Sequence, residues 1–461
     1  MNPTEHRILI ASYHYPPDAA VGGLRLAKFT RYLAELGWQP YVLTVRDDLR
    51  QSGLDSDRMR GLEQIPVVRT GQWPRVVEAL VRVKSLLRRR RTQSSAPTVH
   101  VADQATGAKE GFNAKLTRYV VSLLVLLPDE KKNWSMRAAL TAPVLIRRHR
   151  ISWILTSGPP FSVHVIGVVS RLFTRVRWVA DFRDPWIDMV PHRFPNTRSR
   201  LSDALERWME ALTVRWADRV VTTTERMRSA MAERYPSIPS ERFVCVPNSI
   251  DTAAIPAAAP NAFDKLTITY AGTLYFDRTP EPLFRAVADL LASGRASASD
   301  IRIVLMGDCR QINGVDTTSI VRQYGLDTVV ELIDRVPYPE AVAMMQRSHL
   351  LLVLAPERHQ LVVPAKIYDY LGTGSAVMAL AESGATADLM AETQCGPCFS
   401  HTDIAGIREY LAGLLASGRF RDLRNQPETF ARYDARALTA RLVAEITRVE
   451  ADAERQVMVR T

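Results

Sequence analysis

Apolar positions in the first part of the chain change their period, and this predicts a strand, a helix and a second strand. Arg7–Ser12 is a short apolar run, and a loop with two prolines and the pair Gly22 and Gly23 follows it. Apolar residues then recur every three or four positions through Arg25–Leu36, which predicts an amphipathic helix, and Tyr41–Val45 predicts the next strand. A strand, a glycine loop, a helix and a strand in that order begin a doubly wound parallel sheet.

The same alternation returns in two later blocks. Before residue 252 the apolar runs predict further strands at Trp153–Thr156, Trp178–Asp181 and Arg219–Thr223. After residue 264 they predict strands at Leu266–Tyr270, Ile301–Met306, Val329–Ile333, Leu350–Leu354 and Ala376–Leu380. Thr252–Asp264 is dominated by alanine and broken by two prolines, so it is the predicted linker. The sequence thus predicts an α/β protein with two doubly wound domains, residues 1–251 and 265–435, followed by a helical segment, residues 436–461.

The segment Gly53–Arg137 interrupts this pattern. It contains the run Arg82–Arg91, which has six basic residues and no acid, and the polar stretch Ser94–Glu110, which predicts a loop. Leu116–Leu127 is almost continuously apolar but too short to span a bilayer. Two interpretations of Leu116–Leu127 stay open: a buried core helix, or an interfacial segment that helps to hold a lipid-linked acceptor.

Charge and composition narrow the range of partners. The 461 residues carry a net charge of +11, which favours anionic partners, and a second basic cluster stands at residues 147–150. An anionic membrane surface and a merely solvated basic loop are both open, whereas nucleic acid is not expected because no recognition motif accompanies the charge. Four cysteines fit a reducing cytosol, and the first residues lack the order of a signal peptide. We therefore expect a cytoplasmic protein, with peripheral contact to the inner face of the plasma membrane as a further hypothesis.

The stretch Pro364–Leu380 carries the clearest chemistry. It places Lys366 and Asp369 in the first turn of a short helix that we expect Gly372 and Gly374 to end, before an apolar strand. A helix N-terminus offers N–H groups and partial positive charge to an anion, and a carboxylate nearby can accept hydrogen bonds from ribose hydroxyls. That combination suits a sugar nucleotide.

Five segments in this order resemble a known enzyme family. The Pro-x-Lys-x-Tyr-Asp-Tyr-Leu-x-x-Gly pattern from Pro364 is similar to the donor-binding motif of family-four retaining glycosyltransferases, which have the GT-B fold of two facing Rossmann-like domains. Tyr15–Arg25 resembles the family's glycine-rich first loop, and Tyr270–Arg278 resembles the loop that opens its donor domain. Thr156–His164 and Asp181–Trp186 resemble segments of a branch that builds bacterial surface polysaccharides. The resemblance covers about residues 7–420.

This resemblance implies retaining transfer of a sugar, with UDP as the expected nucleotide, to a glycan or polyprenyl-linked acceptor. It implies no metal and no cofactor, because positive groups and helix N-termini neutralise the departing diphosphate. The expected donor-binding residues are Gly22, Gly23, Gly272, Arg278, Lys366 and Asp369. The candidate catalytic residues are His164, Asp181 and Asp184. By resemblance, the last helix crosses back to the first domain.

Each candidate also has an alternative structural explanation. Gly22 and Gly23 could form only a tight turn, Arg278 and Lys366 could be surface ion-pair partners, and His164 could be a packed or capping residue. The sequence also departs from the family pattern at two places. Leu361 stands where the family has its first glutamate, so Glu357 or backbone groups would have to serve instead, and the usual catalytic loop near Thr156 contains no histidine.

Other functions remain to be excluded. A nucleotide-sugar epimerase on the same fold would convert its donor without an acceptor, and a non-catalytic scaffold would bind no donor. Cys395-Gly-Pro-Cys398 has the spacing of a thioredoxin motif, but we expect neither redox function nor a zinc site, because no other signature or ligand pair accompanies it.

Overall fold

The computed structural model describes residues 6–50, 53–74, 128–193, 200–255, 262–274 and 278–458. Internal contacts divide these residues into two units. The first comprises the described residues within Met1–Val221, Tyr235–Val244 and Glu445–Thr461, and the second those within Thr222–Arg234 and Cys245–Ala444. Each unit is built on a parallel sheet with helices, so the predicted α/β class with two doubly wound domains is confirmed. The boundaries at residues 251, 264 and 435 stay predictions.

The first sheet has seven strands among the described residues. They are β1 (Arg7–Ala11), β2 (Gln39–Val45), β3 (Val67–Thr70), β4 (Trp153–Gly158), β5 (Arg177–Phe182), β6 (Arg219–Thr222) and β7 (Phe243–Cys245). Their spatial order is β3-β2-β1-β4-β5-β6-β7, and β1 pairs in parallel with both β2 and β4. The order therefore reverses direction between β1 and β4.

Helices connect these strands. They are α1 (Leu24–Glu35), α2 (Lys132–Arg148), α3 (His164–Phe173), α4 (Trp186–Arg193), α5 (Arg200–Trp216) and α6 (Glu225–Arg234). The first helix begins one residue before its predicted start and buries the apolar face that the three-and-four spacing defines. The segments Arg82–Arg91, Ser94–Glu110 and Leu116–Leu127 lie outside the described residues.

The second unit repeats the plan. Its strands are β8 (Leu266–Ala271), β9 (Ile301–Met306), the hairpin β10 (Gln311–Ile312) and β11 (Val315–Asp316), β12 (Val330–Ile333), β13 (Leu350–Ala355), β14 (Ala376–Ala381) and β15 (Cys398–Phe399). Its helices are α7 (Glu281–Ala292), α8 (Thr317–Gln323), α9 (Tyr338–Arg347), α10 (Lys366–Thr373), α11 (Ala385–Thr393), α12 (Ile404–Ser417) and α13 (Pro427–Phe430). The last helix, α14 (Ala435–Met458), has residues in both units.

The second sheet has the order β12-β9-β8-β13-β14-β15, with the reversal between β8 and β13. Every residue of β13 and β14 is buried, as expected for parallel strands that helices cover on both faces. In open parallel sheets, ligands bind beyond the carboxyl ends of the strands where the order reverses. The loops after β1 and β4, and those after β8 and β13, are therefore the places to look for a site.

One sequence prediction about α10 needs correction. Gly374, with φ of +78°, ends the helix as expected, but Gly372 lies inside it. A Cβ at position 372 would lie 2.2 Å from Ile255 Cδ1 and 2.8 Å from Ile250 Cγ2. Glycine is thus needed at position 372 for close packing and not for helix termination.

None of the helices in the described ranges is long and apolar enough to cross a bilayer.

Candidate functional site

The ammonium group of Lys366, the first residue of α10, is buried and has no hydrogen-bond partner among the described residues. Its Nζ atom lies 3.6 Å from the centroid of the Tyr270 ring near the end of β8. Burial, and after it the charge of Arg278, lowers the pKa of Lys366 well below its usual value. A buried ammonium without a hydrogen-bond partner costs free energy, and an anion bound beside it would remove much of that cost.

The loop after β8 is shaped to meet this lysine. Gly272 has φ of +140°, and a Cβ there would lie 2.7 Å from Lys366 Nζ, so glycine is needed for both conformation and space. The hydroxyl of Tyr370, one turn along α10, accepts a hydrogen bond from the N–H of Ala271 at 2.8 Å. These contacts fix the loop after β8 against the start of α10.

Two more of the predicted donor-binding residues lie close by. Arg278 is half-buried and near enough to Lys366 to lower its pKa. Asp369 is half-buried one turn into α10, and its charge helps burial to raise the pKa of Tyr338 to about 12. The structure thus brings Gly272, Arg278, Lys366 and Asp369 together at the reversal point of the second sheet.

The two residues discussed for the missing glutamate have different surroundings. The carbonyl of Leu361 accepts a hydrogen bond from Thr224 Oγ1 at 2.6 Å, so its backbone supports the loop. Glu357 is exposed and, with Glu382, lines a small depression beyond the ends of β13 and β14. A binding role for Glu357 stays a prediction.

In the first unit, Asp181 at the end of β5 is completely buried. It forms an ion pair with Arg25 of α1, with 3.0 Å between Arg25 Nη2 and Asp181 Oδ1, and Ser157 Oγ donates a hydrogen bond to it at 2.6 Å. The Arg25 side chain is only 5% exposed. Asp181 therefore joins the ends of β4 and β5 to α1, and its carboxylate is engaged by other side chains. A catalytic role for Asp181 stays a prediction.

Arg183 ties the same loops together through their backbone. Its guanidinium donates to the carbonyl oxygens of Gly22, Gly158 and Pro159. A Cβ at Gly22 would lie 2.9 Å from Arg183 Nη1, so a larger residue would push this guanidinium away. Gly22 thus has a structural reason to be glycine, and phosphate binding by it stays a prediction.

The neighbouring candidates lie at the same edge of the sheet. Gly23 packs against its own loop, since a Cβ there would approach the backbone of His14 and Tyr15 to 3.3 Å. Asp184 is half-buried directly after Arg183. The structure therefore collects the first-unit candidates at the reversal point between β1 and β4, and the roles proposed for Gly23 and Asp184 stay predictions.

His164, the first residue of α3, lies in an aromatic cluster. Its ring stacks on Phe182 at 4.7 Å, and Nδ1 is 2.9 Å from Thr156 Oγ1. The side chain is 1% exposed, and its buried Nε2 has no hydrogen-bond partner. Burial lowers the pKa of His164 from 6.5 to about 3. Packing, the alternative that the sequence left open, accounts for these contacts, and a catalytic role for His164 stays a prediction.

Sequence reasoning missed two groups at this edge. Asp129 accepts hydrogen bonds from both the N–H and the Oγ of Ser162, each at 2.8 Å, and so holds the loop after β4. His14, in the loop after β1, has Nδ1 2.7 Å from Asp18 Oδ2. The sequence signal for His14 and Asp18 is a histidine four residues before an aspartate, in a loop whose glycines are its most obvious feature.

The two spaced cysteines have raised pKa values. Cys395 is buried and Cys398 is exposed, and desolvation raises the pKa of both thiols. A reactive thiol needs the opposite shift, so the surroundings of this pair argue against redox chemistry. The described residues contain no group of three or more His, Cys, Asp or Glu side chains that could hold a metal. The absence of a metal and of any cofactor stays a prediction.

One segment of the sequence is similar to a known family. Residues 93–254 match the model of Glycosyltransferase Family 4. This segment is therefore similar to Glycosyltransferase Family 4, and the two parallel sheets have the GT-B fold. This match includes His164, Asp181 and Asp184 of the first unit but ends before Lys366 and Asp369. A search of curated proteins finds none that matches.

Solved structures of glycosyltransferases share the fold. The Anabaena protein HepE in complex with UDP-glucose aligns with a TM-score of 0.59 and 12% identity over 96% of this chain and 99% of that chain. Sucrose-phosphate synthase from Thermosynechococcus elongatus aligns with a TM-score of 0.60 and 13% identity over 99% of this chain and 100% of that chain. The lipopolysaccharide outer core galactosyltransferase WaaB aligns with a TM-score of 0.58 and 10% identity over 96% of this chain and 99% of that chain. At these identities the likeness shows the fold alone. With the Family 4 match it supports a glycosyltransferase.

Proposed function

We propose that this chain transfers a sugar from a UDP-linked donor, with retention of anomeric configuration, to a hydroxyl of a lipid-linked glycan. The observation that carries the proposal is the buried Lys366 ammonium at the reversal point of the second sheet, with Arg278 beside it. Two cations at the end of a parallel sheet are suited to the diphosphate of a nucleotide sugar, and they would stabilise the charge that develops as it departs.

Asp369 is the proposed partner of the ribose. It stands one turn after Lys366, so a nucleotide whose diphosphate contacts the lysine would extend its ribose along α10. Aspartate is one methylene shorter than glutamate, so the ribose would have to approach the helix more closely. The choice of UDP comes from the family resemblance and from the likeness to HepE, whose structure contains UDP-glucose.

The acceptor and the membrane belong to the same proposal. The outer face of α2 exposes Met136, Leu140 and Val144, whose side chains are 44%, 59% and 60% exposed. Arg147 and Arg148 are exposed at the end of this helix, and no residue of α2 is acidic. An apolar stripe with cations and no carboxylates is typical of a surface that lies against anionic lipid headgroups. We call these five residues the α2 face, and it would place the enzyme peripherally where a lipid-linked acceptor is found.

A binding screen tests the donor site. The purified protein is titrated with UDP, GDP, ADP and their glucose conjugates by calorimetry, alongside Lys366→Met and Asp369→Ala. The matched controls are Lys265→Met and Asp422→Ala, which alter exposed residues of the second unit. We expect one nucleotide to bind the wild type and both controls, and to bind the two site variants at least about tenfold more weakly, which corresponds to 1.4 kcal/mol.

Turnover then separates the competing functions. A glycosyltransferase causes net release of the nucleoside diphosphate when an acceptor or water takes the sugar, whereas an epimerase returns a nucleotide sugar with no net release. NMR of the product gives the anomeric configuration and tests retention. Binding of none of the nucleotides would reject the donor site and favour a scaffold protein.

A further inference from the structure

His14 and Asp18 form a fixed pair in the loop after β1. Nδ1 of His14 lies 2.7 Å from Oδ2 of Asp18, and the aspartate is 1% exposed. The other carboxylate oxygen accepts the N–H of Ala20 at 3.0 Å, so the carboxylate cannot rotate freely. Tyr13 packs edge-on against the imidazole, with 5.1 Å between ring centroids. The ring of His14 is therefore held in one orientation.

This orientation leaves one nitrogen available. A carboxylate beside Nδ1 favours the tautomer with hydrogen on Nδ1, and the lone pair is then on Nε2. No described residue forms a hydrogen bond with Nε2, and the His14 side chain is 23% exposed. The pair thus presents a hydrogen-bond acceptor to solvent, in contrast to His164, whose free nitrogen is buried.

The position of the pair matches the expected ligand edge. A Cβ at Gly22 would lie 3.3 Å from Cδ2 of His14, the ring atom next to Nε2. The same Gly22 is bonded through its carbonyl to Arg183 after β5. Nε2 therefore lies at the reversal point between β1 and β4, where doubly wound sheets bind ligands.

We propose that Nε2 of His14 accepts a hydrogen bond from the attacking hydroxyl of the acceptor, and that Asp18 positions the ring for it; this rests on the proposed function. In the transfer, the acceptor oxygen bonds to the anomeric carbon while the bond from that carbon to the diphosphate oxygen breaks. The electron pair of the broken bond leaves with the nucleoside diphosphate. The single hydroxyl hydrogen points at Nε2 while the acceptor oxygen is being aligned, and it turns to the leaving phosphate oxygen as the bond to the anomeric carbon forms. His14 therefore aligns the nucleophile and is not protonated by it.

Two substitutions distinguish alignment from proton removal. In His14→Gln the amide oxygen takes about the place of Nε2 and accepts a hydrogen bond but does not act as a base at neutral pH, whereas His14→Ala offers neither. We measure nucleoside diphosphate release with polyprenyl diphosphate-linked N-acetylglucosamine and, separately, with water as the nucleophile. Loss of alignment in His14→Ala should lower kcat about 100-fold. His14→Gln should recover most of the wild-type kcat, and the kcat of Asp18→Ala should lie between those of the two His14 variants. The Kd for the donor should stay unchanged in all three variants.

The control is His6→Gln, which alters a histidine that stacks on Trp38 away from this loop and should leave the rate unchanged. A wild-type rate in His14→Ala would overturn the proposal. If His14→Gln is as slow as His14→Ala, the histidine removes the proton and the alignment role is wrong. If the wild type consumes no nucleotide sugar, the proposed function itself fails. Nitrogen NMR of labelled histidine gives a readout that needs no turnover: protonation of Nε2 instead of Nδ1 in His14 would overturn the proposal.

Discussion

The ammonium nitrogen of Lys366 lies 3.6 Å from the centroid of the Tyr270 ring, and it makes no hydrogen bond to any described residue. Attraction between a desolvated cation and an aromatic face contributes about 2 kcal/mol. Burying an ion costs several kcal/mol, so the ring offsets only part of that cost. A bound anion would remove much of the rest, so under the proposed function this cost favours binding of the nucleotide.

Lys366→Met should therefore separate stability from binding. The variant removes the buried charge and fills similar space, so we expect the free protein to be more stable by about 1–2 kcal/mol. It should also lose the stabilisation that the cognate nucleotide gives to the wild type, about 2.7 kcal/mol at a hundredfold excess over Kd. Thermal unfolding with and without nucleotide measures both effects, and Lys265→Met is the control. A less stable free variant would show that the lysine is satisfied without ligand.

Proton uptake on nucleotide binding is a second consequence of the lowered pKa of Lys366. The unfolded chain binds this proton up to about pH 10.5, whereas the folded chain releases it at a lower pH. Stability from this group is therefore least at low pH and rises through the window between the two values. A bound diphosphate raises the pKa again, so binding at about pH 9 should take up protons. Calorimetry in buffers of different ionisation enthalpy measures the uptake, and Lys366→Met should abolish it; proton release by the wild type would contradict the assignment.

The ion pair between Arg25 and Asp181 should be structural. Removal of one partner leaves an uncompensated buried charge, which costs about 3–5 kcal/mol. We expect Asp181→Ala and Arg25→Ala each to lower the midpoint of thermal unfolding, and Arg25→Met with Asp181→Leu to lower it less than either. Nucleotide binding by the second unit should persist in all three variants. If Asp181→Ala keeps the wild-type midpoint but loses transfer, the catalytic role predicted for Asp181 gains support.

His164 should tolerate replacement by phenylalanine. Its ring packs among aromatic side chains, and Thr156 Oγ1 keeps the hydrogen bond from Trp178 Nε1 at 2.8 Å when the imidazole is gone. We expect His164→Phe to transfer sugar at nearly the wild-type rate. Loss of about 100-fold or more in this variant, with normal folding, would support the catalytic role predicted from the sequence.

Acid stability gives His164 a separate readout. Burial lowers the pKa of His164 from 6.5 to about 3. Between these two pH values, the unfolded chain binds a proton at this histidine and the folded chain does not. The folded state has its full stability above pH 6.5 and loses up to about 4 kcal/mol as the pH falls toward 3. Unfolding followed across this range should show a shallower loss in His164→Phe. Equal slopes in the two proteins would show that the histidine is solvated.

The sheets and the cation site could be predicted from the sequence because their signals are local. Runs such as Leu350–Leu354 are apolar and β-branched or aliphatic throughout, and parallel strands require this. Lys366 and Asp369 share one helical turn, so their proximity follows from three residues of spacing. What spacing could not show was that Tyr270 and Gly272, almost a hundred residues earlier, close over the lysine.

The first unit shows where sequence reasoning stops. The local pattern predicts that Asp181 ends a strand, but its partner Arg25 lies 156 positions away and only the fold brings the two together. His164 is the nearest histidine to the expected catalytic loop, but the residues around it in the sequence do not predict that its side chain is buried. The pair His14 and Asp18 was local but sat in a loop without a period, where no residue pattern predicts which side chains face each other.

Binding of the α2 face to anionic lipid is open to direct measurement. Each arginine near a charged surface contributes about 1 kcal/mol, so Arg147→Ala with Arg148→Ala should weaken binding to vesicles containing phosphatidylglycerol by about 30-fold. Leu140→Asp with Val144→Asp should weaken it further, because apolar contact is lost and repulsion is added. Co-sedimentation with vesicles of phosphatidylcholine alone and of a mixture with phosphatidylglycerol measures both.

The matched control is Val315→Asp in β11, an exposed apolar residue of the second unit whose side chain is 52% exposed. Val315→Asp should leave vesicle binding unchanged, because this residue is not part of the α2 face. Weaker binding in this control would show that any loss of exposed apolar surface reduces vesicle binding. Binding of the wild type should also weaken with added salt, because headgroup attraction is screened over about 10 Å at 0.1 M. If the wild type co-sediments with neither kind of vesicle, the lipid surface is rejected as the partner of the α2 face. The apolar stripe would then belong to a contact with another protein.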